Sequence, residues 1–215
     1  MSLYSLRGGL NARVDAEIEV KRSRFLCRLV RVESEPAART VIAQTRSELW
    51  SARHHCSAFV VGTDAVTQVR RSSDDGEPSG TAGMPMLDVL TGSGMVDVVA
   101  VVSRYFGGVL LGAGGLVRAY SSAVTAALDV AKDGGMLVER VIQHVFLLEV
   151  DHTTAGRVEA ELRGRGFTVV ETTYRSDVVQ LRIAGNEPEL RAAVAHLLSG
   201  GGHLVPDSST WIDAL

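Results

Sequence analysis

Strand-like and helix-like segments gathered around one apolar run and a glycine-rich loop predict an α+β chain of two domains. Three observations carry this. The run Val98 to Val102 is apolar on both faces and rich in β-branched residues, so it reads as a fully buried strand. It passes through Ser103, Arg104, Tyr105 and Phe106 into a loop holding Gly107, Gly108, Gly112, Gly114 and Gly115, and then into a helix with the stripe Leu116, Tyr120, Ala123, Val124, Ala127, Leu128 and Ala131. Residues 138–215 carry a second pattern: strand Val138 to Val150, helix Thr153 to Gly164, strands Phe167 to Thr173 and Val178 to Ala184, helix Glu187 to Leu198, and strand His203 to Ile212. That βαββαβ order is the split-βαβ, ferredoxin-like arrangement. Asp133-Gly134-Gly135 separates the two patterns, so the expected domains are 1–136 and 137–215.

The remaining elements follow in chain order. Residues 1–13 have few large apolar residues and are expected to be a loosely attached lead-in. In Ile18 to Val32, Phe25, Cys27 and Leu29 alternate with Arg22, Arg24 and Arg28, the pattern of a half-buried strand with a basic outer face suited to phosphates or simply to water. Ser34-Glu35-Pro36 starts a helix, with Val41, Ile42, Thr45, Leu49 and Trp50 on one face and an end near Ala52. Cys56 to Gly62 reads as an apolar strand, paired with Ala65 to Arg71 after a turn at Gly62-Thr63-Asp64. The stretch RSSDDGEPSGTAGMPMLDVL holds Asp74, Asp75 and Glu77 among Gly76, Pro78, Gly80 and Gly83, which makes an ordered loop leading into a short helix from Met84 to Leu90.

Composition narrows the function classes. Hydrophobic residues make up 46% of the 215, as in a folded globular protein, and no apolar run approaches bilayer length, so a soluble, cytoplasmic protein without membrane contact is expected. The net charge of -3 is divided unevenly: residues 1–140 carry one net positive charge and 141–215 four net negative charges. Neither half announces nucleic-acid binding by charge alone. Cys27 and Cys56 are too few for a disulfide framework and read as reduced, buried thiols.

The strand, glycine loop and helix make a junction where free backbone N–H groups favour an anion, with Arg104 and Arg118 nearby. The same glycines equally serve tight turns and close packing. No Walker-type lysine follows them, and no dinucleotide fingerprint is present. Asp74, Asp75 and Glu77 fit a cation or acid/base role, or ordinary turn chemistry. His54, His55 and Cys56 are adjacent on a strand, so they point to opposite faces rather than converging on a metal. His144, His152, His196 and His203 are scattered surface or loop residues, and no metal or cofactor is expected.

The segments KRSRF (Lys21 to Phe25), HHCSAFVVG (His54 to Gly62), SDDGEPSGTAGMPMLDVL (Ser73 to Leu90) and VVSRYFGGVLLGAGGLVRAY (Val101 to Tyr120) resemble the IMPACT/YigZ family. The resemblance implies an N-terminal domain with the fold shared by a ribosomal-protein domain, domain IV of elongation factor G and galactokinase-type kinases. It also implies a second domain like the last, ferredoxin-like domain of elongation factor G. Eukaryotic members regulate translation under amino-acid starvation and carry an extra RWD domain; this sequence is similar to the bacterial-type, two-domain form. The implied role is a translation-associated regulatory or binding protein contacting RNA, the ribosome or a translation factor. Its contacts are expected from Arg22, Arg24, Arg28, Arg104, Tyr105, the loop glycines and Arg118. The alternative is a phosphate- or nucleotide-binding enzyme joining the glycine loop to the acidic loop, with Ser79, His54 or His55 brought together by folding.

Overall fold

The apolar run of the sequence becomes the middle strand of a sheet. The structure is a computed structural model that describes residues 2–64 and 66–214, and its chain divides into two compact units between Glu139 and Arg140. Both units are α+β with antiparallel sheets.

The first unit contains β1 (Leu3–Leu6), β2 (Arg13–Val20), β3 (Ser23–Arg31), α1 (Glu35–Glu48), β4 (His54–Val61), β5 (Val69–Ser73), α2 (Gly83–Gly92), β6 (Val98–Tyr105) and α3 (Ala113–Asp133). Its sheet runs β2-β3-β6-β4-β5 with every pairing antiparallel. Because successive strand residues point to opposite faces, Val98, Ala100 and Val102 enter a core with Met86 and Leu90 of α2 and Leu116, Tyr120 and Val124 of α3. Val99 and Val101 enter a second core with Ala38 and Val41 of α1. Helices on both faces explain why this strand is apolar throughout rather than alternating. The whole stripe read on the long helix is buried.

Several sequence expectations change here. Ile18 to Val32 is not one strand: β2 and β3 form a hairpin through a two-residue turn at Lys21-Arg22, whose φ values are +47° and +67°. Such left-handed turns match the twist of a hairpin, and tertiary context imposes one here on residues that do not advertise it. Of the expected loose lead-in, 1–13, Met1 lies outside the described residues, and residues 2–13 are not loose. Leu6 of β1 is fully buried in the main core, Tyr4 N–H donates to Gly94 O at 2.9 Å, and Val96 N–H donates to Tyr4 O at 2.9 Å. Helix α1 starts as expected, with Ser34 Oγ accepting from Ala37 N–H at 3.3 Å, but stops at Glu48. Trp50 lies beyond it, 80% exposed, instead of on its buried face. The strand after the Gly62 turn is Val69–Ser73; Ala65, part of the expected segment, lies outside the described residues.

The second unit comprises β7 (Leu137–Val150), which begins at the end of the first unit, then α4 (His152–Gly164), β8 (Thr168–Tyr174), β9 (Val179–Ala184), α5 (Glu187–Leu197) and β10 (Leu204–Asp213). Strand neighbours are β10, β7, β9 and β8, all antiparallel. Phe146, Leu148 and Val150 pack under Val158 and Leu162 of α4 and Leu190 and Val194 of α5. His144, His152, His196 and His203 are exposed.

Leu6→Ala tests whether β1 is part of the fold. Removing a fully buried leucine costs about 2–5 kcal/mol, so urea unfolding should shift its midpoint down markedly. An unchanged midpoint would mean that this strand contributes nothing.

Candidate functional site

Strand β6 ends at Tyr105, and residues 106–112 cross to α3 as an irregular loop. Gly107 sits against the β2–β3 turn so closely that a Cβ there would come within 2.1 Å of Arg22 C and O, and its N–H donates to Ser23 Oγ at 3.1 Å. Only glycine fits that approach. Gly112, at φ +71°, turns the chain into the helix, and its carbonyl accepts from Leu116 N–H at 2.9 Å. Gly114 and Gly115 occupy the first turn, which has no side-chain cap. Between these fixed ends Gly108 lets the loop bulge, leaving Phe106 44% and Leu110 82% exposed.

The acidic loop is held by its own carboxylates. Asp74 Oδ1 accepts from the N–H groups of Ala82 and Gly83 at 3.0 and 2.8 Å, and Oδ2 from Gly80 N–H at 2.8 Å, which secures the start of α2. Burial pushes the Asp74 carboxyl up, yet these three donors outweigh it and hold the group below the usual aspartate range. Asp75 accepts from Arg46 Nη2 at 2.7 Å and His55 N–H at 2.6 Å; here too desolvation is outweighed and the carboxyl is held low.

Glu77 turns inward. Its Oε1 accepts from Arg104 Nη1 at 2.6 Å and from Tyr120 Oη at 2.8 Å, with the Glu77 and Arg104 side chains only 4% and 8% exposed. Desolvation, and then the neighbouring Cys56 and Glu77, push the Tyr120 phenol far up, so it stays a neutral donor. Cys56, beside this group, is buried and its thiol is pushed up to about 12, while Cys27 is pushed higher still by burial. Neither thiol is activated as a nucleophile, and Cys56 Sγ donates to Asp74 O at 2.9 Å. His54 Nδ1 lies 2.8 Å from Asp75 O, and His55 Nδ1 lies 2.8 Å from Ser103 Oγ on the other face of the sheet, so the two histidines do not converge.

The arginines expected on one basic face have three different fates. Arg22 lies in the hairpin turn, not on the strand. Arg24 pairs with Glu17 and stacks over Tyr105 at 5.5 Å. Arg28 is buried beneath α1, bonded to Glu48 at 2.6 Å, Asp15 at 3.2 Å and Thr45 at 3.3 Å, because β3 is an interior strand covered on that side. Arg104 is likewise spent on Glu77, while its guanidinium lies over Phe25 at 5.5 Å and Phe106 at 5.6 Å. The acidic loop is therefore tied to the strand and helix that flank the glycine loop through Glu77, by its bonds to Arg104 and Tyr120.

Two clefts flank the glycine loop. One, of about 230 Å³, is lined by Lys21, Leu111, Gly115 and Arg118. The other, of about 310 Å³, is lined by Arg53, His54, Arg104, Phe106 and Leu110. Among the described residues no carboxylate pairs with Lys21, Arg22, Arg53 or Arg118. Lys21, Arg53 and Leu110 are not marked as site residues by the sequence pattern. The available signal was Val109-Leu110-Leu111, three large apolar residues in succession inside a glycine loop, where few partners exist to bury them.

The chain is similar to known proteins in sequence and in structure. The Impact N-terminal domain model matches residues 21–128. The IMPACT family member YvyE of Bacillus subtilis (strain 168) is 43% identical over 162 residues, 75% of this chain and 72% of that protein. YigZ of Escherichia coli (strain K12) is 50% identical over 110 residues, 51% of this chain and 54% of its own. A crystal structure of a hypothetical protein aligns over 96% of this chain and 98% of its own, at a TM-score of 0.70 and 34% identity. The two-domain translational regulator Yih1 aligns over 56% and 45% at a TM-score of 0.36 and 27% identity. The fold and its loops thus define an α+β protein of two units, the first built on an Impact N-terminal domain. The chain belongs to the IMPACT family, in its two-domain, bacterial-type form.

Glu77→Ala leaves Arg104 buried without its counter-charge, a loss of about 3–5 kcal/mol that chemical denaturation should register, with Tyr120→Phe much milder. Acid should act separately through Asp74 and Asp75. Their folded pKa values lie below the unfolded ones, so their stabilisation is full above the ordinary value of about 3.9 and is lost as pH falls through the lower folded values. Urea midpoints measured from about pH 6 to pH 2.5 should fall across that window, and less steeply for Asp74→Asn.

Proposed function

We propose that this chain is a translation-associated binding protein that contacts RNA, the ribosome or a translation factor through the glycine-loop end of its first unit, in the cytoplasm. The observation that carries this reading is the set of unpaired cations, Lys21, Arg22, Arg53 and Arg118, around an apolar loop anchored at both ends. Cations held without counter-ions are suited to phosphates or acidic surfaces, since neutralising them costs no internal ion pair. Membership of the IMPACT family supports the same direction. In this reading the chain works as two domains, 1–136 and 137–215. The first is likened to domain IV of elongation factor G and the second to the last, ferredoxin-like domain of that factor; the antiparallel order β10-β7-β9-β8 supports the second likeness.

Asp74, Asp75 and Glu77 bond to N–H, guanidinium and phenol donors of the fold, so the enzyme reading draws no support from them.

Co-sedimentation with ribosomes across a salt series tests the proposal. Binding at low salt should weaken steeply as salt rises, and a Lys21→Ala/Arg22→Ala/Arg118→Ala variant should pellet less at every salt with an unchanged unfolding midpoint. Absence of pelleting at low salt, or identical pelleting of the variant, would overturn it.

A further inference from the structure

The glycine loop presents a repeated chemical pattern. On one side is a cleft with Lys21 and Arg118, on the other a cleft with Arg53 and His54, and the loop between them exposes Phe106 and Leu110. Asp75 O can only accept, so His54 Nδ1 carries a proton, and in the neutral ring Nε2 is left to accept a bond from a ligand. The Phe106 ring is oriented by the Arg104 guanidinium at 5.6 Å, and Arg104 is itself held by Glu77. It is thus an exposed aromatic on a fixed support. Strand addition by a peptide is not what this place offers, because the backbone lining the second cleft is already paired: Arg53 N–H donates to Arg104 O at 3.0 Å and His54 pairs with Arg104 in the sheet.

A ligand matching this pattern carries negative charge at intervals on either side of a flat, partly apolar group that has hydrogen-bond donors on its edge. A stretch of single-stranded polynucleotide has that chemistry. A duplex does not, since its bases are stacked away from the ring and its phosphates alone would face the clefts. We propose that the glycine loop is a single-strand binding element, in which an unstacked base lies on Phe106 beside Leu110, its edge donates to His54 Nε2, and adjoining phosphates are taken by Arg53 on one side and by Lys21 and Arg118 on the other. This rests on the RNA-contacting reading above and specifies the form of nucleic acid and the atoms that read it.

Fluorescence anisotropy with an end-labelled twelve-nucleotide uridine strand tests it, with a thymidine strand and an RNA duplex of equal length beside it. Binding of single strands at low salt is expected to be tighter than that of the duplex. A ribose preference would distinguish RNA from DNA as the natural source, and either preference keeps the element. Phe106→Ala should weaken binding roughly five- to a hundredfold, with Phe106→Trp retaining it, so that an effect on stacking is separated from an effect on folding. Arg53→Ala should lower the slope of log affinity against log salt by about 0.7 for each phosphate it no longer neutralises, whereas Arg70→Ala/Arg71→Ala, on the exposed edge strand β5, should leave the slope unchanged. Equal affinity for duplex and single strand, indifference to Phe106→Ala, or equal displacement by a polyglutamate peptide would overturn the inference. Ribosome pelleting that persists in Phe106→Ala alongside those results would leave the broader binding reading standing.

Discussion

The contact on which the first unit depends is the buried triad of Glu77, Arg104 and Tyr120. Each member comes from a different part of the chain: the acidic loop, the end of the central strand, and the long helix. A buried ion pair is not automatically stabilising, because taking both charges out of water costs about as much as their attraction returns. Its effect here is positional. Arg104, bonded through Nη1 to Glu77, holds the end of β6, Tyr120 ties α3 to the same oxygen, and Phe25 closes the group by meeting the Tyr120 ring edge-on with centroids 5.2 Å apart. In a low-dielectric site a displaced member would leave a charge or a hydroxyl unmatched, so the three elements are constrained to one arrangement.

That constraint determines what the glycine loop can be. Its start is fixed by Arg104, its side by the contact of Gly107 with the β2–β3 turn, and its end by the helix at Gly112. A segment tied at three places and still exposing Phe106 and Leu110 is a shaped surface rather than a slack connection. Other arginines of this unit are drawn off by carboxylates: Arg24 by Glu17, Arg28 by Asp15 and Glu48, and Arg46 by Asp75. Function and stability thereby use different members of one residue type.

Much of the fold was legible because it follows from local periodicity. The uniform apolarity of Val98 to Val102 specified a strand covered on both faces, the 3.6-residue stripe from Leu116 to Ala131 specified a helix with one buried side, and the spacing of residues 138–215 specified two helices among four strands. The Lys21-Arg22 turn was not legible, since neither residue carries the local preference for left-handed backbone that glycine or asparagine does. Nor was β1, whose short run LYSL has no periodicity to read and is held by partners more than eighty residues away in the chain. Of the candidate site, the glycines and Arg118 were visible as types, whereas Lys21 and Arg53 gained their place beside the loop only through the hairpin and the sheet register.

The sequence by itself determined the class of fold, the position of the glycine loop between strand and helix, and the family, because burial patterns and rare residue types are properties of short stretches. Tertiary structure alone decided which charges are free. Arg22, Arg28, Arg104 and Arg118 are equivalent as letters. Whether a guanidinium meets a carboxylate or water depends on which distant segment lies across from it, and that was set by strand order and by the burial of Glu77.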